Sequence, residues 1–374
     1  MSLSNFDYQM MAHALRLAKL GEYTARPNPM VGCVITQQES IVGEGHHHQA
    51  GTAHAEINAL QQAGTRAKAA TAYVTLEPCA HTGRTGPCAN ALIDAGIGRV
   101  VVAMRDPFPE VSGKGIARLK AAGIIVDGPC LEQQARELNA GFLTRVEAKR
   151  PFVTLKMGMS LDGKIALSNG QSQWITSPQA RADVQLHRAQ SDAILTGSGT
   201  VLADNPNLQV RMNEAPQALK DVLQRNPLAQ FEQPLRVVLD SHNRVGEQGM
   251  FQSAHAPVYV FNVIQNDTLP THNKQIRIPL VAERPNLSAM MEKLAQMQLN
   301  RVWVEAGSGL AGALLEGHCV DEIVLYQAPV ILGDKAQGAF AISDLTQLQD
   351  AVKFNLKEQR TIGPDQKFIF SLEP

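Results

Sequence analysis

His54-Ala55-Glu56, then Glu77-Pro78-Cys79, then Pro87-Cys88: these three short stretches decide how the chain must fold. Together they offer one imidazole, two sulfurs and a carboxylate that need not be a ligand. A catalytic zinc site asks for three protein ligands and an open fourth position for water. His54, Cys79 and Cys88 supply that number. Glu56 stands two residues from His54, where it can act on the water rather than on the metal. A purely structural zinc would want a fourth His or Cys. His81, between the two cysteines, is a candidate for it, while Glu56 beside His54 argues for chemistry.

The pattern H-x-E followed by P-C-x-x-C is the signature of zinc-dependent nucleobase deaminases. Here the cysteines are instead separated by the stretch Ala80 to Pro87, whose two Gly and one Pro read as a loop. Working outward, Phe6–Leu20 has helical spacing of apolar residues, capped by Ser4, Asn5 or Asp7 and ended by Gly21. Met30–Ile35 and Ile41–Glu44 read as a strand pair, with Cys33 in the core. His46-His47-His48 is either a solvated loop or a pocket wall. His54 opens a helix over Ala55–Ala63, Thr71–Leu76 is a strand that delivers Cys79 at its end, and Cys88 starts the helix Ala89–Ala95. Arg99–Met104 and Ile124–Val126 are strands, Gly115–Ala122 a helix, and Leu131–Ala148 one long helix. Alternating strands and helices imply a three-layer α/β/α domain. Active sites in such domains gather where strand C-termini meet helix N-termini. The helix macrodipole there also favours thiolate.

Glu147-Ala148-Lys149-Arg150-Pro151 reads as a linker, so the expected domains are 1–148 and 149–374. In the second, Phe152–Met157 and Ile165–Leu167 are strands around an Asp162-Gly163 turn. Pro178 at the first position and Ser177 as cap start the helix Gln179–Ala189. Trp174 is either core or a stacking ring. The strand Ala193–Thr196 runs into Gly197-Ser198-Gly199-Thr200, small residues that let backbone amides approach a phosphate. Met212–Gln233 is polar and low in periodicity, a surface excursion. Leu235–Leu239, Val258–Val263, Arg301–Glu305 and Ile323–Tyr326 are strands, and Pro329–Gly333 and Lys367–Ser371 supply the last strand segments. Glu305-Ala306-Gly307-Ser308-Gly309-Leu310-Ala311-Gly312 contains G-x-G-x-x-G. It comes late in the domain and close before the next strand, so it reads as a phosphate cradle and not as a Rossmann unit.

Bulk properties bound the partners. The chain has 374 residues, with 34 Lys+Arg against 35 Asp+Glu. That balance argues against a surface for nucleic acid or anionic membrane. No signal peptide and no run of the ~18 apolar residues of a membrane span is visible. Five cysteines, an odd number, are no disulfide framework. A cytoplasmic protein with reduced thiols is expected.

Taken together, the motifs resemble the bifunctional deaminase/reductase family of riboflavin biosynthesis. The first half is similar to cytidine-deaminase-like proteins through Arg26-Pro27-Asn28-Pro29-Met30-Val31-Gly32, His54-Ala55-Glu56 and Glu77-Pro78-Cys79 to Cys88; the wide cysteine spacing is the form this riboflavin branch uses. The second half resembles dihydrofolate-reductase-like reductases through Ser160 to Lys164, Ser172 to Ser177, Gly197 to Pro206 and Glu305 to Gly309. The resemblance implies deamination of a phosphorylated diaminopyrimidinone, then reduction of the resulting aminouracil's ribosyl unit to a ribityl chain with NADPH. It implies zinc on His54, Cys79 and Cys88, with Glu56 shuttling protons. It implies an NADPH site of Gly158, Trp174, Thr200, Asp204, Ser241, Gly307, Ser308, Gly309, Leu310, Ala311, Gly312 and Ala313. Ser172, Arg188, Leu208, Arg211 and Glu305 would hold the substrate, an Arg pair suiting its phosphate ester, and Lys156 would assist hydride transfer. A homodimer through the reductase half is also implied. Two other readings are a nucleic-acid base deaminase, which would need a basic, aromatic groove, and a zinc-stabilised scaffold that only senses a nucleotide.

Overall fold

A computed structural model describes residues 2–80, 86–108 and 112–372. His81 and most of the Ala80–Pro87 loop therefore lie outside the described residues. The chain divides into two compact units, 1–148 with 220–232, and 149–219 with 233–374. This grouping differs from the expected 1–148 and 149–374 in one stretch, 220–232.

The first unit opens with α1 (Asn5–Ala18), capped by Ser4, whose hydroxyl accepts from the Asp7 N–H while the Asp7 carboxylate accepts from the Ser4 N–H. This reciprocal pair satisfies two of the helix's orphan donors. Next come β1 (Gly32–Gln37), β2 (Ser40–His46), α2 (Ala55–Ala63), β3 (Thr71–Val74), α3 (Cys88–Asp94), β4 (Arg99–Val102), α4 (Lys114–Ala121), β5 (Ile125–Asp127), α5 (Glu132–Leu138) and α6 (Ala140–Ala148). The sheet order is β2-β1-β3-β4-β5. β1 runs antiparallel to both neighbours, and β3, β4 and β5 are parallel. Alternate side chains go to opposite faces. Ile35, Val74 and Val100 pack with Ala59, Leu92 and Leu119 of α2, α3 and α4. Val34, Tyr73 and Val101 pack on the other face with Met11 of α1 and Leu143 of α6. These are the three layers expected. The single helix over Leu131–Ala148 is instead two. Asn139 breaks it, because its buried amide is spent on the backbone of Met30, accepting from the N–H at 2.8 Å and donating to the carbonyl at 2.9 Å.

The second unit contains β6 (Phe152–Met159), β7 (Lys164–Ala166), α7 (Pro178–Ala189), β8 (Ala193–Gly197), α8 (Ser198–Asp204), α9 (Gln217–Gln224, whose end passes into the first unit), β9 (Leu235–Leu239), β10 (Val258–Asn262), β11 (Lys274–Arg277), β12 (Leu280–Val281), β13 (Arg284–Pro285), α10 (Leu287–Gln296), β14 (Arg301–Glu305), α11 (Ser308–Glu316), β15 (Glu322–Gln327), β16 (Gln337–Gly338), β17 (Phe354–Ile362) and β18 (Asp365–Leu372). Its main sheet has the order β11-β10-β9-β8-β14-β6-β15-β18-β17. The strands from β11 to β15 are parallel and the β17–β18 hairpin is antiparallel. Pro329–Gly333 is not a strand but irregular chain beyond β15. The expected surface excursion holds α9 and a residue, Asn226, that is only 1% exposed. Among the described residues no helix is long and apolar enough to cross a membrane.

Candidate active sites

In the first unit, His54 is the N-cap of α2, Cys79 follows β3, and Cys88 opens α3. Three elements distant in sequence thus bring one imidazole and two sulfurs together. His54 Nδ1 lies 3.2 Å from Cys88 Sγ and 3.7 Å from Cys79 Sγ, and the Cys88 N–H donates to Cys79 Sγ at 3.3 Å. All three donor atoms fall within 4.8 Å of one another. Ligands about 2.0–2.3 Å from one ion must sit this close, and sulfur with imidazole nitrogen is the donor set zinc takes. The residues fit the metal. Among the described residues no fourth His, Cys, Asp or Glu joins them.

Electrostatics at the site follow from crowding. The Cys88 thiol beside it, despite burial, and His54 hold the Cys79 thiol well below its usual range and favour its thiolate. Cys88 is pushed far up by that neighbouring thiolate, by burial and by Glu56. Two sulfurs this close cannot both ionise without a cation between them. Glu56, in the first turn of α2 and 3% exposed, is lifted to about 7 by burial. A carboxyl there exchanges a proton near neutrality.

The histidine run forms a wall, with His46 and His47 buried and His48 partly so. His47 accepts from the Asn28 amide at Nε2, 3.0 Å away, and donates from Nδ1 to the Ala53 carbonyl at 3.2 Å. Its ring meets His54 edge-on, 5.3 Å between centroids. His48 is held from the stretch 220–232. The Asn226 amide donates to Thr24 Oγ1 (2.9 Å) and to the His48 carbonyl (3.3 Å), and accepts from His48 Nδ1 at 2.6 Å. Gln230 N–H to Gln49 Oε1 and Arg26 to the Glu232 carbonyl extend the seam. The helical spacing of Leu219, Val222 and Leu223 in this stretch went unread, and Asn226 lies just past that helix with no motif of its own.

Glu77 fastens the loop behind Cys79. Its carboxylate accepts backbone N–H bonds from Gly113 (2.9 Å), Gly115 (3.0 Å), Ile116 (3.2 Å) and Asp106 (3.4 Å). In the sequence Glu77 stands only as the residue before Pro78-Cys79, and nothing local signals these four bonds.

In the second unit a cavity of about 1550 Å³ opens at the C-terminal ends of β6, β8, β9 and β14. Gly158, Trp174, Thr200, Asp204, Ser241, Gly307, Ser308, Gly309, Leu310 and Ala313 line it, as do Ser172, Arg188, Leu208, Arg211 and Glu305. Ala311 and Gly312 do not. Both are buried, and a Cβ on Gly312 would overlap the Ala341 backbone. The third glycine of G-x-G-x-x-G therefore serves helix packing. Ser198, part of the small-residue motif, also lines the cavity; Arg181, Gln185 and Arg244 line it too and were missed, since isolated polar residues on a helix or loop carry no motif.

Helices α8 and α11 begin at Gly197 and Gly307 with no side-chain cap. Their first N–H groups point where phosphates can take them. A Cβ on Gly199 or Gly309 would meet only open space, so bare backbone faces the cavity there. These features fit a dinucleotide. Glu305 and Arg188 form a two-pronged pair, Nε to Oε1 at 2.6 Å and Nη2 to Oε2 at 2.9 Å. Burial alone would raise Glu305, but the Arg188 guanidinium, with Lys156 and the Trp303 N–H, holds it at about 2. Burial also lowers Lys156, against the pull of Glu305.

A three-layer domain with an H-x-E/Cys/Cys cluster, joined to a mixed-sheet domain with a dinucleotide-sized cavity, defines a zinc-dependent deaminase fused to a reductase. Known proteins agree. Residues 4–104 match the cytidine and deoxycytidylate deaminase zinc-binding region, and residues 151–368 match the RibD C-terminal domain. The chain is 48% identical to riboflavin biosynthesis protein RibD of Escherichia coli (strain K12), covering 96% of this chain and 97% of that one. It is 46% identical to that of Haemophilus influenzae over 99% of both. It superposes on Acinetobacter baumannii RibD with a TM-score of 0.88 at 39% identity, covering 99% of both chains. A Thermotoga maritima structure titled as a diaminohydroxyphosphoribosylaminopyrimidine deaminase/5-amino-6-(5-phosphoribosylamino)uracil reductase gives 0.84 at 31% identity, covering 98% of this chain and 99% of that one. The chain belongs to the RibD family of bifunctional deaminase/reductases of riboflavin biosynthesis, whose cofactors are zinc and NADPH.

Proposed function

We propose that His54, Cys79 and Cys88 hold the zinc and that Glu56 carries the proton during deamination of the diaminopyrimidinone substrate. The observation that supports this most is the convergence of His54 Nδ1 and two sulfurs within 4.8 Å, with Glu56 against Cys88. Zinc, when bound, acidifies water. Glu56 takes a proton from the attacking water and returns it to the departing amine, which leaves as ammonia. His54 is oriented from behind by the edge of His47. Glu56→Gln should keep a full complement of zinc and release ammonia at least a hundredfold more slowly. Ammonia release at the normal rate in that variant would refute the assignment.

In the second unit, NADPH when bound would supply a hydride. The uncapped starts of α8 and α11 would take its phosphates, with Gly158, Trp174, Thr200, Asp204, Ser241, Ser308, Leu310 and Ala313 around it. Arg244, which donates to Ser198 Oγ at 2.8 Å, is the rim cation beside Ser241 suited to a further phosphate. Arg188 and Glu305, with Ser172, Leu208 and Arg211, hold the phosphorylated aminouracil. Lys156 sits beside Glu305 in register across β6 and β14 and steadies the developing charge on the sugar oxygen.

Assembly is through the reductase unit. The edge strand β17 is exposed along most of its length, and Ile331, Leu348 and Leu356 stand 72%, 90% and 54% exposed. Unpaired strand edges with apolar flanks invite a second copy. Sedimentation showing a monomer at micromolar concentration would contradict this. None of the five cysteines is in a disulfide, which accords with a reducing, cytoplasmic setting.

A further inference from the structure

Behind the Arg188–Glu305 pair lies a buried network with no part in the chemistry above. Trp303 and Glu305 alternate onto the same face of β14. The indole is 1% exposed and its Nε1–H donates to Glu305 Oε1 at 2.8 Å. The indole lies flat against His187 of α7, with centroids 4.8 Å apart and planes within 4°. His187 Nε2 in turn accepts from Lys367 Nζ at 2.7 Å. Lys367 is itself held by Asp183 at 2.6 Å, and Asp183 also accepts from Tyr326 (2.6 Å) and Arg360 (3.0 Å). His187 is therefore neutral, its ring pinned at the Nε2 edge while its face lies on the indole. Glu305 Oε1 accepts two bonds, from Arg188 and Trp303, and is full. Oε2 accepts one, from Arg188, and keeps a lone pair.

We infer that Trp303 is a positioning residue for the reductase substrate: its indole, clamped against His187, fixes the Glu305 carboxylate so that Oε2 accepts from an N–H or O–H of the aminouracil. This rests on the reading of Glu305 as a substrate-holding residue. Because Glu305, paired with Arg188, is ionised and can only accept, a ligand group that meets it must be a donor. Without the indole N–H, Oε1 keeps one partner, and the carboxylate can turn about its last bond.

The test is Trp303→Phe in the full chain, which keeps a stacking ring and deletes the N–H. The KM for the aminouracil should rise about tenfold, with kcat changed far less, as for loss of one hydrogen bond to a charged group. NADPH affinity and ammonia release should match wild type. An unchanged KM in folded protein overturns the inference, and so does an NADPH affinity that weakens in step with KM. Glu305→Gln is the companion. Should it leave KM unchanged, the underlying reading of Glu305 falls; should it raise KM while Trp303→Phe does not, only the role of Trp303 falls. If Trp303→Phe does not fold, His187→Gln removes the clamping ring but leaves Lys367 an acceptor. It should raise KM in the same direction by about threefold, and no rise refutes the clamp.

Discussion

Gly115→Ala probes the link between fold and metal site most sharply. Gly115 lies in the first turn of α4, directly on the Pro78 carbonyl, and a Cβ there would overlap that oxygen. Real Cβ atoms keep at least 3.0 Å from such a neighbour, and backbone cannot swing aside as a side chain does. The helix must therefore retreat from the Pro78–Cys79 turn. Glu77 then loses or stretches its bonds to the Gly115 and Ile116 N–H groups, now 3.0 and 3.2 Å. Overpacking of about 1–3 kcal/mol and two charge-assisted bonds of about 1.5–3 kcal/mol each bring the cost to about 4–9 kcal/mol if both bonds are lost. That is a large share of an ordinary domain's stability. The assay is zinc per chain after dialysis, ammonia release, and aminouracil-dependent NADPH oxidation on one preparation. Zinc should drop below half and ammonia release with it, while NADPH oxidation stays at wild-type rate. Full zinc and full ammonia release would refute the contact between α4 and the Cys79 turn.

Three other outcomes are expected. Arg211 faces the reductase cavity with its guanidinium on Glu214, at 2.7 Å, so Arg211→Ala should raise the aminouracil KM about tenfold; an equal loss in deamination would contradict its place in the second site. Asn226→Ala strips His48 Nδ1 and Thr24 of a buried partner, and should lower deaminase-unit stability by about 2 kcal/mol and slow ammonia release. Denaturant unfolding followed on that unit checks it, an unmoved midpoint being the contrary result. Burial first, then Lys367, lowers His187 from 6.5 to about 3. The folded chain then binds fewer protons than the unfolded one between those values, so this group's contribution is whole above pH 6.5 and erodes as pH falls toward 3. The loss is about 2 kcal/mol by pH 5. In His187→Gln the urea midpoint of the reductase unit should depend less on pH between 7.5 and 5, and identical slopes would refute it.

The parts of this structure legible in sequence are those where one residue type does one local job. His54 as N-cap, Cys88 at a helix start, Ser177-Pro178 before α7 and the apolar runs of β6, β8 and β14 all carry their signal within a few residues. What stayed hidden depends on distant partners. Asn139 breaks a helix because its amide is needed at Met30, 109 residues away. Asn226 looks like loop until the stretch 220–232 is laid against His48. The strand β17 hid behind its charges, since an edge strand need not alternate. Gly312 matched a phosphate motif yet serves contact with Ala341. Trp303 had no motif at all; its meaning comes from Glu305 on the same strand face and His187 on a helix packed across it.

The central claim is that one zinc, gripped by His54, Cys79 and Cys88, drives the first reaction and has no part in the second. Strip the metal with a chelator and follow both reactions on the same sample. Ammonia release should stop and return when zinc is restored, with NADPH oxidation on the aminouracil unaltered throughout. Ammonia release that persists in metal-free protein, or both rates falling together while the chain stays folded, would contradict it.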